Sequence, residues 1–230
     1  MNDLRDLERS INYTFNNKEL LLEALTHKSY SYENNLEINY ERLEFLGDSI
    51  INYLLTDILF KKYAHIDEGI LSILRGFLAS KDFLYSIAKD LCISDFVRIG
   101  KNEKESAYNE NPSLLCDVLE AIIGAIYLDS SLENVRLIFS WKFLENLDYF
   151  LTNIEQIDSK SLLQKYVSKI YKKMPQYTLV EEMGPDHNKT FIVEVSLPNN
   201  VSAKGVAKKK KLAEKIAAKA AVTKLNINGF

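Results

Sequence analysis

Apolar positions recur along most of the chain with a helical period. Leu21, Ala24 and Leu25 share one face of residues 17–30, with Asn16 or Asn17 as the cap, and this spacing predicts a helix. Residues 31–39 are polar and Asn-rich and read as a loop. Residues 40–63 hold Leu43, Phe45, Leu46, Ile50, Ile51, Leu54, Leu55, Ile58 and Leu59, which cover most of the circumference. A helix apolar nearly all round is expected to be buried at the centre of a domain. Two further helices follow, Glu68–Ala79 and Lys81–Leu91, with Ser80 capping the second. Residues 98–111 read as a polar loop, and Asn111-Pro112 starts the next helix, a capping residue before proline at the first helical position. That helix runs to about Leu128, and another spans Leu132 to about Leu144.

The period changes near the C-terminus. Leu163, Tyr166, Val167 and Ile170 define one more amphipathic helix over residues 159–172. Tyr177–Met183 then reads as a strand, Gly184-Pro185-Asp186-His187-Asn188 as a turn, and Phe191, Val193, Val195 and Leu197 alternate along a second strand. Pro198-Asn199-Asn200 turns into a third strand. From Lys208 the helical period returns, with Ala213, Ile216, Ala217, Ala220 and Ala221 on one face. The expected fold is mostly α: an all-helical domain over residues 1–146, a linker at 147–158, and a small α-β-β-β-α module at 159–226.

Composition agrees. The 230 residues include 8 Gly and 4 Pro, about half and a third of average usage, so turn formers are scarce. The longest apolar run, Ala121–Leu128, is eight residues, well short of the ~18 a membrane span needs. Met1–Asp6 lacks the apolar core of a signal peptide, and Cys92 and Cys116 form no metal-type pair. A cytoplasmic protein is the simple expectation.

Charge changes the picture more. The net of −3 divides into −12 over residues 1–158 (15 Lys+Arg, 27 Asp+Glu) and +9 over 159–230 (14 Lys, 5 Asp+Glu). The basic half has no arginine, and lysine suits phosphate contact better than bidentate reading of base edges. Lys211, Lys215 and Lys219 recur every four residues, and Lys208, Lys209 and Lys210 crowd the start of the same helix. Cations there oppose the helix dipole, and an incoming phosphate relieves them. A solvated lysine face is the bland alternative.

In the acidic half, Glu41, Glu44 and Asp48 stand at i, i+3, i+7, within about 60° of one another on an otherwise apolar helix. Asp117 and Glu120 repeat the situation on a second apolar helix. Like charges on buried helices need compensation. Either a divalent cation supplies it, with all-oxygen ligands favouring Mg²⁺ or Mn²⁺ over zinc, or salt bridges to Arg42, Lys28 or Arg75 do. His27 reads as packed or hydrogen-bonded, and His187 as a turn residue within the basic module. Gly47, in the middle of the central helix, points to close approach of another backbone, for which a second subunit is one candidate.

Glu41-Arg42-Leu43-Glu44-Phe45-Leu46-Gly47-Asp48-Ser49 resembles the signature of the ribonuclease III family. Ala24–Ser29, Asp67–Ser72 and Asp117–Ala121 resemble further blocks of that family in order, and residues 159–226 look like a double-stranded RNA-binding domain. The resemblance implies a homodimeric, Mg²⁺-dependent endonuclease that cuts both strands of an RNA duplex, leaves 5′-phosphate and 3′-hydroxyl ends, and processes rRNA and mRNA precursors. It implies Glu44, Asp48, Asp117 and Glu120 as metal ligands, Asp48 and Glu120 as the residues most directly tied to catalysis, Glu41 near the cut phosphate and Glu68 at a subunit interface facing RNA. In the C-terminal module it implies Gln164 and His187 in minor-groove contacts and Lys209, Lys210 and Lys211 on phosphates. Ala207-Lys208-Lys209 and Gly76 depart from the usual family pattern. A duplex-binding protein of the same fold that does not cut, and a hydrolase of small phosphate compounds, are the rival functions. The full carboxylate set weighs against the first and the lysine-rich module against the second.

Overall fold

The computed structural model describes residues 3–101, 111–145, 147, 159–185 and 189–227. These residues form two compact units, Met1–Ala64 with Arg75–Asn146, and His65–Leu74 with Leu147–Phe230. Among the described residues there are ten α-helices: α1 (Leu4–Ile11), α2 (Lys18–Ala24), α3 (Lys28–Glu33), α4 (Glu41–Lys62), α5 (Glu68–Leu78), α6 (Lys81–Asp90), α7 (Pro112–Asp129), α8 (Leu132–Leu144), α9 (Ser159–Tyr171) and α10 (Lys210–Lys224). Strands β1 (Gln176–Met183), β2 (Thr190–Ser196) and β3 (Ser202–Ala207) precede α10. No helix among the described residues is long and apolar enough to cross a membrane.

Helix starts follow their capping chemistry. Asn17 accepts from the Glu19 N–H, Ser80 from the Phe83 N–H and Asn111 from the Ser113 N–H, so α2, α6 and α7 begin where the side chains satisfy free amides. α1 has no counterpart among the helices expected from sequence. Its signal is Asp3, which caps Arg5, followed by Leu7 and Ile11 on the buried face.

The single helix expected over residues 17–30 is two. The chain leaves α2 at Leu25, and Thr26 forms a parallel bridge with Arg98. The Arg98 N–H donates to Leu25 O at 2.8 Å and the His27 N–H to Arg98 O at 3.0 Å. His27 is buried and its Nδ1 accepts the Ser29 N–H, capping α3. Backbone pairing with a segment some 70 residues away overrides local helix propensity here.

α4 and α7 form the centre of the first unit. α7 is buried along eleven of its residues. α4 is not apolar-buried all round: Leu43, Ile50, Ile51, Leu54, Leu55, Ile58 and Leu59 face the core, whereas Phe45 is 79% and Phe60 71% exposed. Where the two helices cross, a Cβ on Gly47 would lie 1.8 Å from Glu120 O, and one on Gly124 would lie 2.4 Å from Leu43 O. The backbone that Gly47 admits is therefore α7 of the same chain, not a second subunit.

In the second unit the sheet order is β1-β2-β3, antiparallel throughout, with Tyr177 opposite Val195 and Val193 opposite Gly205. Val193, Val195 and Ala203 are buried beneath α10, and α9 packs against α10. The buried faces of both helices are rotated from the expected ones. On α9 the core residues are Leu162, Leu163 and Val167, with Ile170 exposed; on α10 they are Ala213, Ala217, Ala218, Ala221 and Val222, with Ile216 exposed. Gly205 sets the α10 face, because a Cβ there would lie 2.1 Å from Ala213 O and 2.4 Å from Ala217 N.

Candidate metal centre and nucleic-acid interface

Glu44 lies one turn before Gly47 on α4, and Asp117 and Glu120 lie on the stretch of α7 that Gly47 touches. The glycine-permitted crossing thus brings the three side chains together. One carboxylate oxygen from each of Glu44, Asp117 and Glu120 falls within 4.8 Å of the others, and all three residues are half-buried.

Packing three anions in a poorly solvated place disfavours their charged forms. Burial, reinforced by Asp48, Asp117 and Glu44, pushes Glu120 up to about 7. Burial and the Asp117 charge raise Glu44, and burial raises Asp117. Among the described residues no lysine or arginine closes an ion pair with these three. Lys28 instead pairs with Glu41 at 3.2 Å, and Arg75 donates to Thr56 Oγ1 at 3.2 Å. Of the salt bridges weighed from sequence, only the Lys28–Glu41 pair forms, and it does not reach the three clustered carboxylates. An all-oxygen donor set of concentrated negative charge fits a hard divalent cation.

The remaining acidic candidates lie outside the three-carboxylate group. Asp48 is exposed, one turn beyond Glu44, and its carboxylate accepts from Asn52 Nδ2 at 2.9 Å. Glu41 is exposed and held by Lys28. Glu68 is exposed at the first position of α5, where its Oε1 accepts from Ser72 Oγ at 2.9 Å. Cys116, buried beside the cluster, has its thiol pushed up to about 11 by burial and the Glu120 charge, so it stays protonated and donates to Lys81 O at 3.1 Å.

In the second unit, Gln164 is exposed on α9. Lys209 is the N-cap residue of α10, with no side-chain cap, and Lys210 and Lys211 are its first two residues. All three lysines are exposed, as are Lys215 and Lys219 one and two turns on. His187 lies outside the described residues, as does the linker beyond Leu147.

Residues 17–147 match the model of the ribonuclease-III-like family, and residues 159–225 match the double-stranded RNA binding motif. The chain belongs to the ribonuclease III family. It is a ribonuclease III-type endonuclease carrying a double-stranded RNA-binding domain. Ribonuclease 3 of Caldanaerobacter subterraneus subsp. tengcongensis is 41% identical over 96% of this chain and 97% of its own length. Ribonuclease 3 of Fusobacterium nucleatum is 38% identical over 99% of this chain and 97% of its own. A solved nuclease domain of ribonuclease III from Campylobacter jejuni is 40% identical, with a TM-score of 0.59, and covers 63% of this chain and 98% of its own. The all-helical nuclease region and the α-β-β-β-α order over residues 159–225 are those expected of the ribonuclease III family.

Two features of this ribonuclease III chain escaped the sequence reading. Phe45 sits within the signature stretch yet is exposed, and it lines a cavity of about 690 Å³ with four leucines (Leu20, Leu43, Leu46, Leu128) and the charged Glu23, Glu41 and Arg42. Its only sequence signal is an aromatic residue between two acidic positions of one helix face. Lys81 stands at the first position of α6 and is the cation that most strongly offsets the rise at Asp117. Nothing in its local sequence separates it from an ordinary helix-start lysine.

Proposed function

We propose that this protein is a Mg²⁺-dependent endoribonuclease that acts on RNA duplexes as a homodimer, cuts both strands, and leaves 5′-phosphate and 3′-hydroxyl ends during maturation of rRNA and mRNA precursors. The observation that carries this reading is the half-buried, uncompensated cluster of Glu44, Asp117 and Glu120. These residues, with Asp48 one turn away, are proposed to hold the metal, and Asp48 and Glu120 to be closest to the reacting phosphate. When bound, a divalent cation supplies Lewis-acid activation of water and neutralises charge on the phosphoryl oxygens and the leaving 3′-oxygen.

The chain's own groups supply the rest. The closely packed α4–α7 crossing keeps the carboxylates in fixed register, so they need little reorganisation. Glu41, at the rim and held by Lys28, is proposed to lie near the cut phosphate, and Glu68 to face RNA. Gln164, His187 and Lys209–Lys211 are proposed as duplex contacts, binding by shape and phosphate. The proposed division is a nuclease domain at 1–146, a linker at 147–158 and the RNA-binding domain at 159–226.

The dimer has its own support. One carboxylate cluster per chain faces a substrate with two strands. The exposed Phe45 and the largely leucine-lined cavity it borders are on one surface, so a two-fold axis can place each Phe45 in the partner's cavity. The Campylobacter jejuni nuclease-domain structure is described by a region involved in its dimer formation. Cleavage of a labelled RNA hairpin in Mg²⁺ and in EDTA, by wild type and Glu120→Gln, tests the proposal. The variant is expected to lose roughly 10³-fold or more in rate while keeping duplex affinity. Near wild-type cutting by Glu120→Gln in Mg²⁺ removes the cluster from the chemistry.

A further inference from the structure

Lys81 follows the N-cap Ser80 and opens α6. Its side chain is exposed, and its Nζ donates to Ser113 Oγ at 2.7 Å. Ser113 is on the first turn of α7, four residues before Asp117 and so on the same helix face, one turn away. From the other side, Cys116 Sγ donates to the Lys81 carbonyl at 3.1 Å. Two ties from α7 therefore hold the start of α6 beside the carboxylate cluster, one on the backbone and one on the ammonium.

The ammonium does not spend itself on the cluster. Its charge reaches Glu44, Asp117 and Glu120, opposing their upward shift, yet it forms no ion pair with any of them. A lysine kept to neutralise the carboxylates would close one. Lys28, the other lysine felt by Asp117, is already paired with Glu41. Ser113 takes one of the three ammonium donors of this exposed side chain, and among the described residues no ion pair takes another. The positive end of α6 begins at the same residue. The arrangement is a cation placed next to a negative cluster and left open to a second anion.

We propose that Lys81 contacts the substrate: its ammonium, positioned by Ser113, binds a non-bridging oxygen of an RNA backbone phosphate seated at the Glu44–Asp117–Glu120 cluster. This rests on reading that cluster as the metal site for duplex cleavage. The role has two consequences of opposite sign. Removing the positive charge leaves the free site more negative, so it binds a divalent cation more tightly. The same removal deprives the RNA of a phosphate partner, so the substrate binds more weakly. A lysine that only braces α6 against α7 predicts no loss of phosphate contact, and so no change in the salt dependence of KM.

The experiment uses the full chain with Lys81→Met, Lys81→Arg and Ser113→Ala. Manganese binding to the RNA-free protein is measured by calorimetry, and KM for a duplex hairpin is measured in Mg²⁺ across a salt series. For Lys81→Met the expected results are Mn²⁺ affinity up about threefold, KM up about fivefold, and a salt dependence of log KM shallower by about 1 unit. Lys81→Arg recovers most of the KM, and Ser113→Ala raises KM less than Lys81→Met does. An unchanged KM and salt slope in Lys81→Met overturns the proposal. So does loss of Mn²⁺ affinity together with a lower melting temperature, which marks a brace. A wild type that binds Mn²⁺ and cuts, beside an unaltered Lys81→Met, sinks this inference alone; a wild type that neither binds Mn²⁺ nor cuts sinks the metal reading and this inference with it.

Discussion

At the scale of single residues, Glu120 is the most informative side chain, because its ionisation bears on stability and, on the proposed reading, on metal binding and chemistry. Burial and three neighbouring acids hold it at about 7 in the folded, metal-free protein, against 4.5 for a free carboxyl. The folded state therefore keeps a proton that the unfolded chain releases between these values. Stability contributed by that proton is present below the lower value and is lost as pH rises toward the upper one. Partial exposure screens the effect, leaving on the order of 1 kcal/mol, or about 2–4 °C in melting temperature. In EDTA, then, the melting temperature of wild type minus that of Glu120→Gln is expected to fall between pH 5 and pH 8. Saturating Mn²⁺ should flatten the difference, because a cation holds the carboxylates ionised at every pH in the range. Apparent Mn²⁺ affinity should climb up to about pH 7 and level off beyond it. Parallel melting profiles of the two proteins in EDTA would show that Glu120 is not strained by its neighbours. The residue types of this site were legible from sequence, since acids interrupting two apolar helices stand out. Their side-chain directions were not: Glu44, Asp117 and Glu120 converge, while Asp48 also accepts from Asn52 and Glu41 pairs with Lys28. Side-chain direction at a helix crossing depends on the partner helix, which periodicity does not contain.

At the scale of elements, two glycines in the nuclease region predict opposite outcomes for the same substitution. Gly47 faces Glu120 O, and a Cβ there would lie 1.8 Å from backbone that cannot swing aside. Gly47→Ala must push α4 and α7 apart, at a cost of about 2–3 kcal/mol. It should also weaken Mn²⁺ binding, since Glu44 then leaves Asp117 and Glu120. Gly76, inside α5, has nothing within 4 Å of the added carbon. Gly76→Ala should stabilise by about 0.5–1 kcal/mol through helix propensity and a less flexible unfolded chain. Urea unfolding of both variants checks the pair, and a Gly47→Ala protein as stable as wild type would falsify the account of the crossing. The same distinction explains what could be read in advance. Helix starts at Lys18, Lys81 and Pro112 were legible because Asn17, Ser80 and Asn111 act within three residues of themselves. The break after α2 was not, because the Thr26–Arg98 bridge comes from a distant segment. Nor was the buried face of α10, whose many alanines fit several faces until Gly205 selects the one that meets the sheet.

At the scale of the whole molecule, charge divides labour. The acidic residues 1–158 carry the carboxylate cluster, and the basic residues 159–230 carry a lysine face suited to a polyanion. The two tasks oppose each other electrostatically, since a net charge of −12 repels the duplex that the chemistry needs. On the proposed reading affinity comes from the lysines of the basic half, and they stand where they harm the fold. Lys209, Lys210 and Lys211 meet the positive end of α10 with no side-chain cap. Replacing all three with Ala is expected to stabilise that helix by a few tenths of a kcal/mol per charge, up to about 1. The same triple variant should bind duplex RNA more weakly and show a salt slope shallower by up to about 3 units, because each lost phosphate contact releases fewer counterions. The loss should be alike for duplexes of different sequence, since a lysine on a phosphate reads no base. Single-turnover cleavage at saturating RNA separates affinity from chemistry: a rate near wild type confines these lysines to binding. A collapsed rate at saturation would mean that they also place the scissile phosphate, and an unchanged salt slope would take them off the backbone altogether. A gain in stability beside a loss in affinity is the signature sought, because a lysine cluster kept only for the fold would lose both or neither.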